Sequence, residues 1–299
     1  MNFDDALARR ASILADGATD AFRVADGPAD GLVPGTAIDA FAGRWLIQTK
    51  GEKPSKLLVE NAAERAVSVW WKRLDQSVKE SPTLLEGDND GEGFDAREHG
   101  ARYKIDFRAG YSQGIFLDQR LNRQEVRRRS ETGQRVLNLF AYTGAFSVVA
   151  ALGGATTTTL DLSGPYLEWA KDNFRTNGLD PADHFFCKGD ALEWLTRWKK
   201  AGRTFHGIVA DPPTFSRFGK STWKVERDYA ALVEACASVL EPDGWALFCA
   251  NTHRASHRWF AGEISAGLAG TQHAGCALDE PGMPPEFASS DHLHAVWVG

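Results

Sequence analysis

Apolar positions fall into two regimes along the chain. Up to about residue 110 they come in short runs broken by turn residues; beyond it, longer apolar runs alternate with stretches of helical spacing. In the first regime Phe3, Leu7, Ala11 and Leu14 line one face of a helix predicted over Phe3 to Leu14. Ala21 to Ala25, Thr36 to Phe41 and Arg44 to Thr49 read as strands, the last two joined at Ala42-Gly43. Lys56 to Arg65 reads as helix, Ala66 to Lys72 as strand, and Phe94 to Glu98 with Arg102 to Phe107 as a hairpin turning at His99-Gly100. Leu85 to Gly93 is acidic but lacks the ligand spacing and terminal Glu of a calcium loop, so an exposed, solvated turn is expected there.

In the second regime Val136 to Phe140 is too short for a helix and uniformly apolar, the pattern of a strand buried on both faces. The turn Ala141-Tyr142-Thr143-Gly144 leads into the small apolar helix Ala145 to Leu152, which Gly153-Gly154 stop. Thr156 to Leu160 is a β-branched strand ending in Asp161. Strand, glycine turn, helix, strand and acid make half of a nucleotide-binding α/β unit. Two further strands, His184 to Cys187 and Phe205 to Ala210, run toward Asp190 and Asp211. Glu226 to Leu240 and Trp259 to Leu268 read as helices; Trp245 to Ala250, Thr271 to Ala277 and Leu293 to Val298 read as strands, the last as an antiparallel edge. The proline- and serine-rich loop Asp279 to Asp291 is expected to close over substrate. The domain division expected is a small β-rich domain over 1–110 and an α/β domain over 111–299.

Acids that end successive strands of an open parallel sheet converge on one crevice. Asp161 is expected to accept from ribose hydroxyls, Asp190 from an adenine amine, and Asp211-Pro212-Pro213 to wall the reacting group. The single Gly144 is too little glycine for a loop closing on a pyrophosphate, which argues against a dinucleotide. S-adenosylmethionine carries ribose and adenine without phosphate and tolerates a bulkier turn; it is the expected cofactor. An ordinary βαβ crossover is the alternative, and three acids in register weigh against it. Pro212 and Pro213 hold the backbone extended, so Phe215 projects where it can stack on a base. The basic, aromatic run R-F-G-K-S-T-W-K-V-E-R then reads as a mobile substrate loop eased by Gly219, or as a surface loop capped by its aromatics.

Composition narrows the classes. With 299 residues and 43% apolar content the chain can bury a sizeable core. It has no apolar run long enough to span a bilayer, and Met1 to Arg10 is acidic and amphipathic, unlike a secretory leader. Cys187, Cys236, Cys249 and Cys276 are far apart without C-x-x-C spacing, so a cytoplasmic protein with reduced thiols, no metal and no membrane contact is expected. Residues 1–100 carry 12 Lys/Arg against 18 Asp/Glu, and the rest carry 22 of each, so any RNA surface must be local. Six arginines between 120 and 135 against two glutamates make the strongest basic cluster. With Asp118 capping a helix to Ser130, Arg120, Arg123 and Arg127 lie along one side, either as a solvated face paired to the acidic module or as a phosphate-binding edge.

Taken together, G-I-F-L-D-Q-R (114–120), N-L-F-A-Y-T-G (138–144), L-D-L-S-G-P-Y-L-E-W-A-K-D-N (160–173), N-G-L (177–179), K-G-D-A-L-E-W-L (188–195) and D-P-P-T-F-S (211–216) resemble the motifs of bacterial 23S rRNA methyltransferases. The likeness is to the C-terminal domain of the guanine-7 enzyme; residues 26–41 and E-H-G (98–100) resemble the small domain of the cytosine-5 group, without a counterpart of its PUA domain. The resemblance covers roughly residues 20–299. It implies an α/β fold: a Rossmann-like class I methyltransferase sheet of seven strands, the last antiparallel, with a small N-terminal α+β domain. It also implies a ribosomal RNA or precursor-particle partner, a monomer or homodimer, and a cofactor site extended to Phe116, Asp118, Arg120, Phe140, Ala141, Tyr142, Thr143, Gly144, Leu162, Ser163 and Ala191 beside Asp161, Asp190 and Asp211.

The position matching the relatives' catalytic cysteine holds Asn251, with Cys249 two residues earlier at the same side-chain parity. Carbon-5 of cytosine is inert until a thiolate adds to the ring, whereas guanine N7 offers a free lone pair. The expected catalytic set is therefore Asp211, Pro212, Pro213, Phe215 and Asn251, acting on a ring nitrogen, with Cys249 read as a buried thiol or a shifted nucleophile. His253 and His257 read as hydrogen-bonded packing groups, or as bases for a protonated acceptor. A methyltransferase for a small molecule or protein side chain, and a non-catalytic cofactor-binding module, are the other readings.

Overall fold

The computed structural model describes residues 3–15, 17–75, 80–88, 93–110, 112–218, 221–252 and 256–299, without the side chains of 215–218, 221 and 222. The chain forms two compact units, Met1–Leu121 with Met283–Ser290, and Asn122–Gly282 with Asp291–Gly299.

In the first unit β1 (Ala21–Asp26), β2 (Ala37–Phe41), β3 (Arg44–Thr49), β4 (Ser68–Arg73) and β5 (Thr83–Gly87) lie side by side in that order. Only β3 and β4 run parallel, and the crossover such a pair requires is a helix, Lys56–Ala63, capped by the Ser55 side chain. Alternate residues Phe22, Val24, Ile38, Ala40, Trp45, Ile47 and Val69 bury one face against Phe3, whose ring meets Trp45 edge-on at 5.0 Å. The helix expected over Phe3 to Leu14 is broken into α1 (Phe3–Ala8) and α2 (Ala11–Leu14), with Lys56–Ala63 following as α3. The break turns Arg10 inward, where it donates to the Arg23 carbonyl at 3.1 Å. Residues 85–87, expected in an exposed acidic loop, belong to β5, and residues 89–92 of that loop lie outside the described residues. The hairpin is present as β6 (Phe94–Glu98) and β7 (Ala101–Ile105).

The segment expected to close over substrate instead lends Met283–Ser290 to the first unit. Glu286 is buried there and takes both Arg120 nitrogens, at 2.7 and 2.8 Å; Arg10 donates to its carbonyl at 3.1 Å. Ser289 donates from backbone and hydroxyl to Asp26, both at 2.6 Å, and Arg23 lies 4.2 Å over the Phe287 ring. A buried ion pair is worth keeping only when its polar atoms are met; here both carboxylate oxygens are met by Arg120 Nε and Nη2, and Arg120 Nη1 lies 3.1 Å from His99 Nε2.

The second unit is an α/β sheet of seven strands. β8 (Arg135–Leu139), β9 (Thr156–Asp161), β10 (Phe185–Lys188) and β11 (Phe205–Ala210) are parallel; the separate hairpin β12 (Phe215–Phe218) with β13 (Ser221–Lys224) follows, then β14 (Leu240–Asn251), β15 (Leu278–Asp279) and β16 (Leu293–Val298). The strand order is β10-β9-β8-β11-β14-β16-β15. The intervening helices are α4 (Arg120–Arg129), α5 (Ala145–Leu152), α6 (Gly164–Thr176), α7 (Ala191–Lys200), α8 (Val225–Ala237) and α9 (His257–Leu268). Strand and helix faces meet in a core that includes Leu137, Leu139, Ile208, Tyr229, Leu232, Phe248 and Phe260. Register aligns the strand ends: Leu139 pairs with Leu160 and with Ala210, and Ala210 with Phe248.

β16 is antiparallel as expected, but it lies between β14 and β15 and is not the edge. Residues 271–275 form turns rather than a strand, because their polar groups turn back on the preceding elements: Thr271 Oγ1 donates to Leu268 O and Gln272 Nε2 to Leu240 O, both at 2.9 Å. The substrate loop after Asp211 is the β12–β13 hairpin, with Gly219 outside the described residues. Among the described residues no helix is long and apolar enough to cross a membrane, and no group of three or more side chains is arranged to hold a metal ion.

Candidate active site

The turn after β8 is built from backbone shapes that most residues avoid. Phe140, Tyr142 and Gly144 have φ of 56°, 50° and 73°. A left-handed non-glycine residue costs of order 1 kcal/mol and persists where its surroundings impose it. Gly144 is obligatory twice over, since a Cβ there would lie 2.7 Å from the Ala170 Cβ. Asp161 is what holds the turn: its carboxylate accepts the Tyr142 N–H and the Ser163 N–H, each at 2.8 Å. The Tyr142 ring then meets Tyr166 edge-on at 4.6 Å, and Asn173 Nδ2 donates to Thr143 O at 2.9 Å. Burial raises the Asp161 carboxyl above its ordinary range, and the backbone N–H groups oppose that rise. With the Leu162 N–H also acting on it, the carboxylate still has acceptor capacity of the kind that ribose hydroxyls use.

From this turn the other strand ends follow in a row. Gly189 donates its N–H to Asp161 O at 3.1 Å, and Asp190 beyond it caps α7, accepting the Glu193 N–H on Oδ1 at 3.1 Å. Ala191 is buried in the first turn of that helix. Leu162 and Ser163 cross from β9 to α6, which Ser163 caps. On the other side Asp211, half-buried, ends β11, and Pro212 is buried beside it. Trp223 of the hairpin donates to Pro213 O at 2.9 Å and stands 6.1 Å from the Phe140 ring. Thr214 Oγ1 donates to Asn251 O at 2.6 Å, which joins the D-P-P-T segment to the end of β14.

Asn251 is exposed at that end, while Cys249 is fully buried. The Cys249 carbonyl accepts the Tyr229 hydroxyl at 2.6 Å, and burial keeps that hydroxyl protonated as a donor. His257 meets His294 with their Nδ1 atoms 3.1 Å apart, and His294 Nε2 lies 3.0 Å from Thr252 O, so both rings are tied into packing. His253 lies outside the described residues, and so does the Phe215 ring, though its backbone opens β12.

Phe116, Asp118 and Arg120 lie in the first unit. Phe116 is 48% exposed, and Asp118 is buried in the 3-10 turn Leu117–Gln119 that leads into α4. Arg120 is locked to Glu286, and Arg123 is fully buried with its guanidinium 5.9 Å from the Phe146 ring. Of the arginine cluster, Arg120 is paired to a carboxylate of the first unit, as one of the two readings expected, and the exposed Arg128 and its neighbour Arg129 both bond Glu125. Residue-level reading missed Tyr166, Asn173 and Trp223, which position the site through the turn and the hairpin. Only Trp223 had a local signal: the aromatic and β-branched runs F-S-R-F and S-T-W-K on either side of Gly219.

The sequence model of the S-adenosylmethionine-dependent methyltransferase family matches residues 65–298. The chain belongs to this family. Its cofactor is S-adenosylmethionine, and the carboxylates of Asp161 and Asp190, which accept hydrogen bonds, suit a group that carries hydroxyls and an amine but no phosphate. It is 34% identical over 257 residues to "Ribosomal RNA large subunit methyltransferase K/L" of Shewanella loihica, covering 85% of this chain and 33% of the relative. To the protein of the same name in Shewanella pealeana it is 37% identical over 204 residues, 67% of this chain and 27% of the relative. The methyltransferase therefore spans about a third of the length of the curated relatives it matches. Among solved structures, SMU.776, designated a methyltransferase and complexed with SAH, superposes with a TM-score of 0.86 at 27% identity, over 99% of this chain and 79% of that one. An S-adenosylmethionine-dependent methyltransferase from Agrobacterium tumefaciens shares the fold, with a TM-score of 0.75 at 20% identity over 94% and 90% of the two chains.

Proposed function

We propose that the methyltransferase acts on a base of ribosomal RNA and that the acceptor is a ring nitrogen, guanine N7 by the resemblance of D-P-P-T-F-S and Asn251. The names of the Shewanella relatives support an RNA acceptor. The observation that carries the choice of atom is the strand end of β14, where Asn251 is exposed and the Cys249 thiol is fully buried. Attack on carbon-5 needs a thiolate facing the base, and a carboxamide cannot serve as one. A ring nitrogen needs neither covalent addition nor removal of a proton.

In this reading Asp161 holds the ribose hydroxyls on its outer lone pairs, and the Oδ2 of Asp190 accepts from the adenine amine. The Phe140–Gly144 turn, Leu162, Ser163 and Ala191 line the same cofactor. When bound, S-adenosylmethionine supplies a methyl group made electrophilic by its sulfonium. Asp211 and Asn251 orient the base, Pro212 and Pro213 keep Phe215 extended to stack on it, and the rate comes mainly from alignment. Transfer of radiolabelled methyl to total RNA lacking this modification, followed by nucleoside analysis, tests the proposal. Label in 7-methylguanosine is the expected result. Label in 5-methylcytidine would refute the choice of atom, and unlabelled RNA with SAH binding intact would move the acceptor to a small molecule or protein.

A further inference from the structure

The first unit contains a groove of about 560 Å³ that none of the residues discussed above uses. It opens between the Gly31–Thr36 loop, the Lys50–Ser55 loop and the first turns of α3. Its size lies in the range of pockets that hold small ligands or single residues of a polymer. Its walls combine three chemistries. Val33 and Leu57, 70% and 65% exposed, are among the most exposed large apolar side chains described, and both line this groove. Monomeric proteins rarely gather such side chains around a cavity without a partner for them. Lys50 and Lys53 also line it; among the described residues neither has a carboxylate within ion-pair distance, and Lys53 Nζ is 5.4 Å over the Trp71 ring. Glu52 is the acid of the lining, and the adjacent Asp75 is already held by Arg73 at 2.8 Å and by the Gly51 N–H at 3.0 Å. The lining is therefore cationic within a sequence region whose overall balance is acidic. Finally Asn61 contributes a carboxamide that makes no hydrogen bond among the described residues, with donors and acceptor side by side.

An apolar flank, an amide edge and two free ammonium groups match the face, the edge and the phosphates of a nucleotide. An acidic peptide would use the lysines and leave the amide and the apolar flank without a role. We propose that this groove holds one nucleotide of a single-stranded RNA segment, an inference that rests on the RNA reading of the active site. The loops are set for it: Thr49 Oγ1 donates to Glu52 O at 2.8 Å and accepts the Trp71 Nε1–H at 2.8 Å, which fixes the Lys50–Lys53 bend before anything binds.

The test is fluorescence anisotropy of the full chain with a labelled single-stranded oligoribonucleotide of mixed sequence, over a salt series, with SAH affinity measured in parallel to report the fold. Lys50→Ala with Lys53→Ala should weaken RNA binding about tenfold and reduce the slope of log affinity against log salt by about 1.4, at about 0.7 per phosphate contact on a single strand. Val33→Ser with Leu57→Ser should weaken binding while leaving that slope unchanged. If wild type binds RNA and both double variants bind within twofold of it, the groove proposal is overturned and the RNA reading stands. If wild type binds no RNA, both are overturned. Oligo-glutamate that binds wild type more tightly than the RNA, and loses that binding in the lysine variant, would overturn the nucleotide in favour of an acidic peptide.

Discussion

Replacing Asp161 by alanine removes the carboxylate that braces the turn and that, in the proposed reading, also holds the ribose. In the free protein it accepts the Tyr142 and Ser163 N–H groups at 2.8 Å each. Hydrogen bonds to a charged acceptor contribute about 1.5–3 kcal/mol apiece, and the lower value suits a half-buried group, so the substitution should cost about 3 kcal/mol. For a unit of this size that is a fall in melting temperature of about 6–12 °C. The ribose hydroxyls would lose two more bonds of the same kind, about 3 kcal/mol again, which is a hundredfold or greater loss of SAH affinity. Calorimetric titration with SAH and a thermal scan measure the two losses separately.

Protonation of the same carboxyl gives an independent check. Burial raises the folded pKa above the ordinary 3.8. The folded chain then holds this proton more tightly than the unfolded one. The group's contribution to stability is full below 3.8 and is lost as pH rises through the folded value. Cofactor affinity runs the opposite way, because hydroxyls donate to the carboxylate: it should fall as pH drops toward the raised pKa, and Asp161→Asn should flatten that profile. An Asp161→Ala protein that melts lower yet binds SAH within threefold of wild type would refute the assignment and leave Asp161 as a brace for the turn.

Asn251→Ala should leave SAH affinity unchanged and lower kcat at least tenfold in the methyl-transfer assay, since the side chain sits at the acceptor end of the row. Cys249→Ser should retain activity within about threefold and destabilise by about 1 kcal/mol from a hydroxyl placed in the core; a dead but folded variant would restore a covalent mechanism. Glu286→Ala leaves the Arg120 guanidinium buried without its carboxylate, a cost of about 3–5 kcal/mol that denaturant titration should register, whereas removing both charges together should recover part of it.

The central strands of the second unit were readable because β8 and β11 are short, almost wholly buried apolar runs, too short for helices: Phe205–Ala210 and the run at Val136 stand within a residue of expectation. Gly144 and Asp161 were readable for a similar reason, each being a residue type that the local geometry demands. What escaped depends on partners distant in sequence. Nothing near Arg120 announces Glu286, which lies 166 positions away, so pairing to the acidic module was one of two open readings and its partner could not be named. The left-handed shapes of Phe140 and Tyr142 have no local cause either; Tyr142 takes its shape from Asp161 and Tyr166. Leu278–Asp279 is too short to show a pattern and is a strand only because β16 lies beside it.

The excursion of Met283–Ser290 into the first unit sets an order of events during synthesis. The first sheet emerges from the ribosome well before its partners: Arg120 waits 166 residues for Glu286, and Asp26 waits 263 for Ser289. β16, the strand joining β14 to β15, is later still. Neither unit is complete until residues beyond Gly282 have been made, and a ribosome stalled there would display two unfinished folds rather than one finished domain and one waiting.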